Sequence, residues 1–113
     1  MGRNMKWYSE LYVSENAQKK KNKILRKLKT NAGMLNIYLV TLAANPADML
    51  DIISAAYLKQ PAVRRNLPMI VGIACGYDEA VALVVKMLED TLAATGEVCI
   101  PRYLAQKAGA ERL

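Results

Sequence analysis

Residues 68–96 read PMIVGIACGYDEAVALVVKMLEDTLAATG, and this stretch decides the fold class. Residues 68–75 form an apolar run with the length of a short strand that is buried on both faces. Gly76-Tyr77-Asp78-Glu79 then opens a helix, and Gly96 stands where a left-handed glycine ends one. The apolar stripe predicted for this helix consists of Val81, Val84, Val85, Leu88 and Leu92. A buried strand that leads directly into such a helix is typical of α/β proteins.

The segment before this unit repeats the same order of elements. Residues 35–43, LNIYLVTLA, are apolar at alternate positions on both sides and predict a central strand. Asn45-Pro46-Ala47-Asp48 has the cap, proline and acid of a helix start. Helical spacing of apolar side chains then predicts a helix over 48–58, which Pro61 closes, with Arg64-Arg65-Asn66 as a polar connection. The stripe of that helix is Met49, Ile52, Ile53, Ala56 and Tyr57.

The two ends of the chain are less regular. Residues 1–13 fit a helical turn or a strand equally well, whereas 97–103, EVCIPRY, predict a third strand. Because Pro101 lacks a backbone donor, that strand belongs at a sheet edge. Residues 104–113 are expected to form a frayed or weakly helical tail. No linker divides the chain, so residues 1–113 are one α/β domain.

These elements predict a small three-layer domain with the order helix-strand-helix-strand-helix-strand. Its sheet is three-stranded and mostly parallel, with helices on both faces and the strand order 2-1-3 favoured. Such a sheet has two open edges, and a second copy of the chain could cover one of them. We therefore expect a homodimer.

Positive charge is concentrated in the first part of the chain. Residues 1–31 carry nine basic and two acidic side chains, a net charge of +7, while residues 32–113 have a net charge of −1. Residues 14–31 predict a helix that Ser14 caps and that ends at Asn31-Ala32-Gly33. Its apolar stripe is thin and consists of Ala17, Ile24, Leu25 and Leu28. Most of this basic helix should therefore lie in water.

Composition excludes several classes of site. The chain has no histidine, so a Ser-His-Asp triad, a histidine-ligated zinc and an imidazole base are excluded. Two cysteines cannot form a four-cysteine zinc site, and no cofactor motif is present. The first residues lack the apolar run of a secretory signal, and no run approaches the roughly 20 residues of a membrane span. We expect a cytoplasmic protein with reduced thiols and neither metal nor cofactor.

One candidate site lies where the strands of a parallel sheet end. Ligands of open α/β sheets bind beyond the carboxyl ends of the strands, which here are followed by residues 44–48 and 75–78. The candidate ligand-binding residues are Asn45, Cys75, Gly76 and Tyr77. Cys75 at a helix start is also a candidate nucleophile, since such a position stabilises a thiolate. Helix caps and tight turns explain the same residues without a ligand.

The basic helix is the other candidate site. Lysines suit contact with a nucleic-acid backbone or an acidic protein partner, although a solvated helix face has the same pattern. The side chains concerned are Lys19, Lys20, Lys21, Lys23, Arg26 and Lys27. Trp7, Tyr8 and Tyr12 could stack on bases if they are exposed. Together with Leu11 they could instead form an apolar surface for a protein partner.

The chain also resembles a group of short uncharacterised bacterial proteins. The resemblance rests on residues 19–25 (KKKNKIL), 31–55 (NAGMLNIYLVTLAANPADMLDIISA) and 67–88 (LPMIVGIACGYDEAVALVVKML). It implies a bacterial intracellular protein and brings no activity, cofactor or catalytic residue. From the residues themselves we expect a non-enzymatic binding or regulatory module. The alternative is a small-ligand or thiol-dependent enzyme centred on Cys75.

Overall fold

The computed structural model describes residues 6–29, 36–43 and 49–107, which form a mixed α/β fold. The elements over these ranges are β1 (Trp7–Val13), α1 (Glu15–Gln18), α2 (Lys21–Lys29), β2 (Ile37–Leu42), β3 (Leu50–Ser54), a 3-10 helix (Ala55–Lys59), α3 (Pro61–Asn66), β4 (Ile70–Cys75), α4 (Tyr77–Thr95) and α5 (Ile100–Lys107).

The sheet has four described strands in the order β1-β4-β2-β3. Only β1 and β4 run parallel, whereas β2 is antiparallel to both of its neighbours. The prediction of a three-stranded, mostly parallel sheet with the order 2-1-3 is therefore wrong. The neighbouring positions of residues 35–43 and 68–75 are confirmed, but their relative direction is not. Buried strands of either direction are apolar on both faces, so composition could not distinguish the two.

Residues 50–54 form strand β3 where the sequence predicts a helix over 48–58. β3 returns antiparallel beside β2, and its side chains pair with those of a strand that is already apolar on both faces. Val40 lies opposite Ile52, and Leu42 lies opposite Leu50. Such cross-strand pairs favour β-branched residues, and they outweigh the helical spacing of the same side chains.

Residues 97–103 do not form an edge strand. Ile100 begins α5, and Pro101 lies in its first turn, where a missing backbone N–H costs nothing. Residues 104–107 belong to this helix and are not frayed: Leu104 is buried, and its carbonyl accepts a 2.7 Å hydrogen bond from the Tyr8 hydroxyl. Residues 108–113 lie outside the described ranges.

The basic segment is two helices rather than one. Ser14 caps α1 as predicted, accepting a hydrogen bond from the Ala17 amide. The Lys20 amide then bonds to the Ala17 carbonyl, an i to i−3 contact that tightens the chain between α1 and α2. The break between α1 and α2 falls at Lys19 and Lys20. The predicted exit at residues 31–33 lies outside the described ranges.

Pro61 begins a helix instead of closing one. It occupies the first turn of α3, the helix that replaces the predicted polar connection. Arg64 is buried in it, and its Nε donates a 3.3 Å hydrogen bond to the Leu58 carbonyl. Burial lowers the pKa of this guanidinium group.

Helices cover both faces of the sheet, as predicted. On one face, α1, α2, the 3-10 helix and α3 pack over Leu39, Ile70 and Ile73. On the other face, α4 and α5 pack over Val40, Val71 and Ala74. The sheet is thus the middle layer of three.

The buried face of α4 differs from the predicted stripe. Ala80, Leu83, Met87 and Thr91 face the sheet, whereas Val81, Val85 and Leu92 are exposed. Gly72 of β4 explains the close approach, because a Cβ there would lie 3.1 Å from Met87 Cε. The helix therefore turns small and flexible side chains toward the strand and leaves most of its valines outside.

Among the described residues, no helix has both the length and the apolar character needed to cross a bilayer.

Candidate anion-binding cleft

An open cleft of about 580 Å³ lies beside the sheet where β4 ends and β2 begins. Its walls come from α1, α2, the start of β2 and the end of β4. The lining residues are Asn16, Lys19, Lys20, Lys23, Ile24, Lys27, Asn36, Ile37, Cys75 and Gly76. Four of these ten side chains are lysines and none is acidic.

Local structure aligns the lysines. Ile24 and Leu28 are buried against the sheet, which fixes the rotation of α2. Lys20, Lys23 and Lys27 have i, i+3 and i+7 spacing, so they form one row about 10 Å long on a single helix face. The turn between α1 and α2 adds Lys19 to the same cleft. The thin apolar stripe predicted for this segment is confirmed at Ala17, Ile24 and Leu28.

Backbone geometry forms the opposite wall. The Gly76 amide donates a 2.7 Å hydrogen bond to the Asn36 carbonyl, joining the end of β4 to the start of β2. Gly76 has φ 101° and Asn36 has φ 65°, and these are the two residue types that tolerate positive φ most readily. Asn16 and Asn36 line the cleft although no sequence pattern predicts it; the only signal for Asn36 is an asparagine near the start of an apolar strand.

A carboxylate lies close to this wall but is already bonded. Glu79 accepts hydrogen bonds from the Ser14 hydroxyl, the Asn16 side-chain amide and the Cys75 backbone amide. The hydrogen bonds from Ser14 and Asn16 hold the pKa of Glu79 below its usual range. These three donors hold Glu79 in its ionised form, so one negative charge lies beside the four lysines of the cleft.

Lys19, Lys20 and Lys23 form no ion pair with an acidic side chain of the described residues. Within the described residues, the ion pairs are Lys86–Asp90 at 3.6 Å and Arg102–Glu97 at 3.7 Å, both remote from α2. Lys19, Lys20 and Lys23 are exposed. A second hollow on the outer side of the α1–α2 turn shares these three lysines and adds Lys21. The positive surface therefore extends beyond the cleft.

The structure brings together two groups of candidate residues that the sequence treats separately. Cys75 and Gly76 lie in the same cleft as Lys19, Lys20, Lys23 and Lys27. Lys21 does not line this cleft; it lines the second hollow and a third one beside Tyr12 and Lys107, and Arg26 is exposed.

The predicted pairing of two strand-end loops fails. The Leu42 amide bonds to the Met69 carbonyl, so β2 ends where β4 begins and not beside Cys75. Asn45 itself lies outside the described residues. Tyr77 does not line the cleft; it is exposed on α4, with its ring 5.8 Å from that of Tyr38 in an edge-to-face arrangement.

The aromatic residues of β1 do not form a surface. Tyr8 and Tyr12 are only 3% and 8% exposed, and Trp7 and Leu11 pack against the core under α2. Base stacking on Tyr8 or Tyr12, and an apolar docking surface around these four residues, are therefore both wrong. Successive side chains of β1 point alternately to the two faces of the sheet, and both faces are covered by helices. The strand therefore has no uncovered apolar face.

The Cys75 thiol lacks the base that a catalytic triad requires. Cys75 is half-buried, and its backbone amide is bonded to Ser14 and Glu79. The chain contains no histidine that could act as its base. Among the described residues, no group of three histidine, cysteine or acidic side chains is placed to hold a metal ion.

Comparison with protein-family models, with curated proteins and with solved structures finds no match for the chain. The resemblance to short bacterial proteins stays a prediction, and the site is interpreted from its own chemistry.

Proposed function

We propose that the protein is a non-enzymatic binding module whose cationic cleft takes the phosphate backbone of a nucleic acid. The observation that carries this proposal is the row of Lys20, Lys23 and Lys27, joined by Lys19, in a cleft whose lining includes no acidic side chain. A row about 10 Å long is more extended than a single phosphate group requires. A repeating polyanion matches it better than a small anion does.

The chemistry of the cleft favours binding that is independent of base sequence. Lysine acts as a point charge toward phosphate, and the lining residues include no arginine that could form a bidentate contact with a base. Tyr8 and Tyr12 are buried, so neither is available as a stacking platform beside the lysines. Duplex and single-stranded nucleic acids should therefore bind through their backbones alone.

A salt series tests this function. Fluorescently labelled random-sequence RNA and DNA are titrated with the protein over a range of salt concentrations. If each of the four lysines neutralises one phosphate, the logarithm of the association constant should fall with the logarithm of salt with a slope of about −3 to −4 on duplex DNA. The Lys20→Glu/Lys23→Glu variant should lower the magnitude of this slope by about 2.

A charge-matched variant distinguishes the effect of the cleft lysines from the effect of the protein's net charge. Lys59 and Arg65 are exposed residues of the same protein and do not line the cleft, so Lys59→Glu/Arg65→Glu changes the net charge equally. This variant should retain most of the affinity. Absence of binding at low salt, or equal loss in both variants, would refute a cleft for nucleic acid. Equal affinity for polyglutamate at the same salt slope would replace the nucleic acid with an acidic protein partner.

The second candidate function is a small-ligand or thiol enzyme at Cys75. It is favoured by one observation, the half-buried thiol in a cleft that attracts anions. It requires rapid alkylation of Cys75 by a neutral reagent at neutral pH, because a catalytic thiol must be a thiolate. Slow alkylation in the folded protein would exclude it.

A further inference from the structure

Strand β3 presents an open edge of the sheet. The Ala43 amide donates a 3.2 Å hydrogen bond to the Met49 carbonyl, which sets the alternation of the antiparallel β2–β3 ladder. Asp51 and Ile53 accordingly bond toward β2, while Leu50, Ile52 and Ser54 direct their backbone groups outward. No strand among the described residues pairs with this outer edge.

An apolar stripe of α4 lies on the same side as this edge. Glu79 and Asp90 turn one side of α4 toward β1, through their bonds to Ser14 and Tyr12. The opposite side therefore faces β3. It carries four apolar side chains at i, i+4, i+8 and i+15, each between 39% and 55% exposed: Tyr77, Val81, Val85 and Leu92.

This surface has about the size of the largest apolar patch on a typical monomer, and such patches often mark an interaction site. With Met49, which is 38% exposed at the start of β3, the stripe presents apolar surface on the order of 400 Å². That is about half of the roughly 800 Å² that each partner buries in a standard interface. The backbone edge of β3 and the half-buried Ile52 and Leu50 extend the same surface.

The opposite edge of the sheet has features that discourage pairing. The register of β1 shifts between Trp7 and Tyr12. Glu10 is exposed at the centre of the strand, and Lys6 is exposed immediately before its first residue. Irregular pairing and charge are the usual protections of an edge strand. β3 is regular over its whole length and carries only one charged residue, Asp51.

The described ends of the chain also lie away from β3. The Lys6 carbonyl accepts a hydrogen bond from the Ile70 amide beside β1. At the other end, the Lys107 ammonium group lies 4.8 Å from the centre of the Tyr12 ring on the same strand. Three strand spacings separate this edge from the outer edge of β3, so neither described end supplies a strand that pairs with β3.

We propose that β3 and the α4 stripe form a homodimer interface in which two β3 strands pair antiparallel about a twofold axis at Ile52. This axis places Leu50 opposite Ser54 of the second copy, so that all outward backbone groups find partners. It also places Asp51 opposite Ile53, which keeps the two Asp51 carboxylates from facing each other directly. The proposal does not depend on the ligand of the lysine cleft.

Electrostatics agree with this arrangement. The lysine-rich helix α2 packs on the sheet face opposite α4, so the two α4 stripes meet without bringing the lysine rows together. If the twofold axis is perpendicular to the sheet, the two four-stranded sheets join into one sheet of eight strands. Both lysine clefts then lie on the same face of that sheet. A dimer would therefore offer two cationic clefts to the same polyanion.

The oligomeric state tests the surface. Sedimentation velocity over a wide range of protein concentration should show a dimer for the wild type and a monomer for Val81→Lys/Val85→Lys. The control is Ala82→Lys/Ala93→Lys, which adds the same charge to exposed positions on the polar side of α4. It should remain dimeric, and circular dichroism should show that both variants are folded. A monomeric wild type, or a control that also dissociates, would overturn the proposal.

Amide hydrogen exchange tests the strand pairing separately. In the monomer the Leu50 and Ile52 amides point outward and should exchange fast, whereas those of Asp51 and Ile53 are bonded to β2. Dimerisation should slow exchange at Leu50 and Ile52 by about tenfold or more, while Asp51 and Ile53 change little. A dimer in which the Ile52 amide still exchanges fast would refute pairing through β3.

Discussion

The Tyr12 hydroxyl donates a 2.7 Å hydrogen bond to Oδ2 of Asp90 and so joins the edge strand β1 to the middle of α4. The same carboxylate pairs with Lys86 one turn earlier, at 3.6 Å. Together with the bond from Ser14 to Glu79, this contact sets the rotation of α4 and hence which of its side chains stay outside.

Removal of the Tyr12 hydroxyl should destabilise the fold. Tyr12→Phe leaves the ring in the core but deprives the partly buried Asp90 of its donor, at a cost of about 1–2 kcal/mol in the free energy of unfolding. Urea denaturation measures this loss. Tyr57→Phe is the control, because Tyr57 is 54% exposed and should change stability by less than about 0.5 kcal/mol. Equal stability of both variants would show that the bond contributes nothing.

Acid should weaken the junction at Glu79. Hydrogen bonds from Ser14 and Asn16 lower the pKa of this carboxylate in the folded state below its usual value of 4.5. The stabilisation is therefore present above pH 4.5 and is lost as the pH falls through the lower, folded-state pKa. Glu79→Gln should unfold more easily at neutral pH and lose less stability on acidification than the wild type. Parallel stability curves for the two proteins would contradict this.

Tyr8 and Tyr12 should ionise at higher pH than the usual tyrosine pKa of about 10. Burial raises the pKa of Tyr8 to about 12, and burial together with the hydrogen bond to Asp90 raises that of Tyr12 further. Because both pKa values are raised, the neutral rings contribute stability below about pH 10 that is lost at higher pH. Ultraviolet titration of Tyr8→Phe should lack part of the absorbance change that the wild type shows near pH 12.

Gly72 should not tolerate a side chain. A Cβ at this position would lie 3.1 Å from Met87 Cε, 3.2 Å from Leu83 Cδ1 and 3.3 Å from Val40 Cβ. Gly72→Ala should therefore cost about 1–3 kcal/mol of stability, since α4 must move away from the sheet. Gly72→Ala combined with Met87→Ala, which removes the nearest crowding atom, should show less than the sum of the two single losses. Additive losses in denaturation experiments would refute crowding as the cause.

Cys75 can report the potential inside the cleft. In a Cys99→Ser background, a negatively charged disulfide reagent should react with Cys75 faster than a neutral one does, and the difference should shrink with added salt. Lys20→Glu/Lys23→Glu should remove this preference, whereas Lys59→Glu/Arg65→Glu should keep it. A preference that is unaffected by salt would mean that the lysines do not act on the thiol.

The sequence alone predicts an element correctly where all the signals for that element lie within it. The strand at 68–75, the helix that follows it and its end at Gly96 are confirmed, because caps, glycine and length agree there. The helix over 48–58 failed because pairing with β2 outweighed helical spacing. The apolar stripe of α4 is confirmed at Val84 and Leu88 and wrong at Val81, Val85 and Leu92. The difference arises because Gly72 and the bonds to Ser14 and Tyr12, all distant in sequence, set the rotation of the helix.

The same limit applies to the candidate cleft. The sequence identifies the lysines and Cys75 as separate features, since 48 residues separate Lys27 from Cys75. Their common position results from β4 lying beside β2 and from α2 packing over both. Tyr8 and Tyr12 show the converse, because aromatic residues beside a basic segment suggest stacking until the fold places them in the core.

The row of like charges on α2 also has a consequence for turnover of the protein. Lysines held side by side repel one another, so an empty cleft makes the folded state less stable than the same helix with neutral side chains would be. A bound polyanion removes this repulsion and, by binding only the folded chain, raises its resistance to proteolysis. The occupied form would then outlast the empty one, and the amount of protein would follow the supply of its ligand.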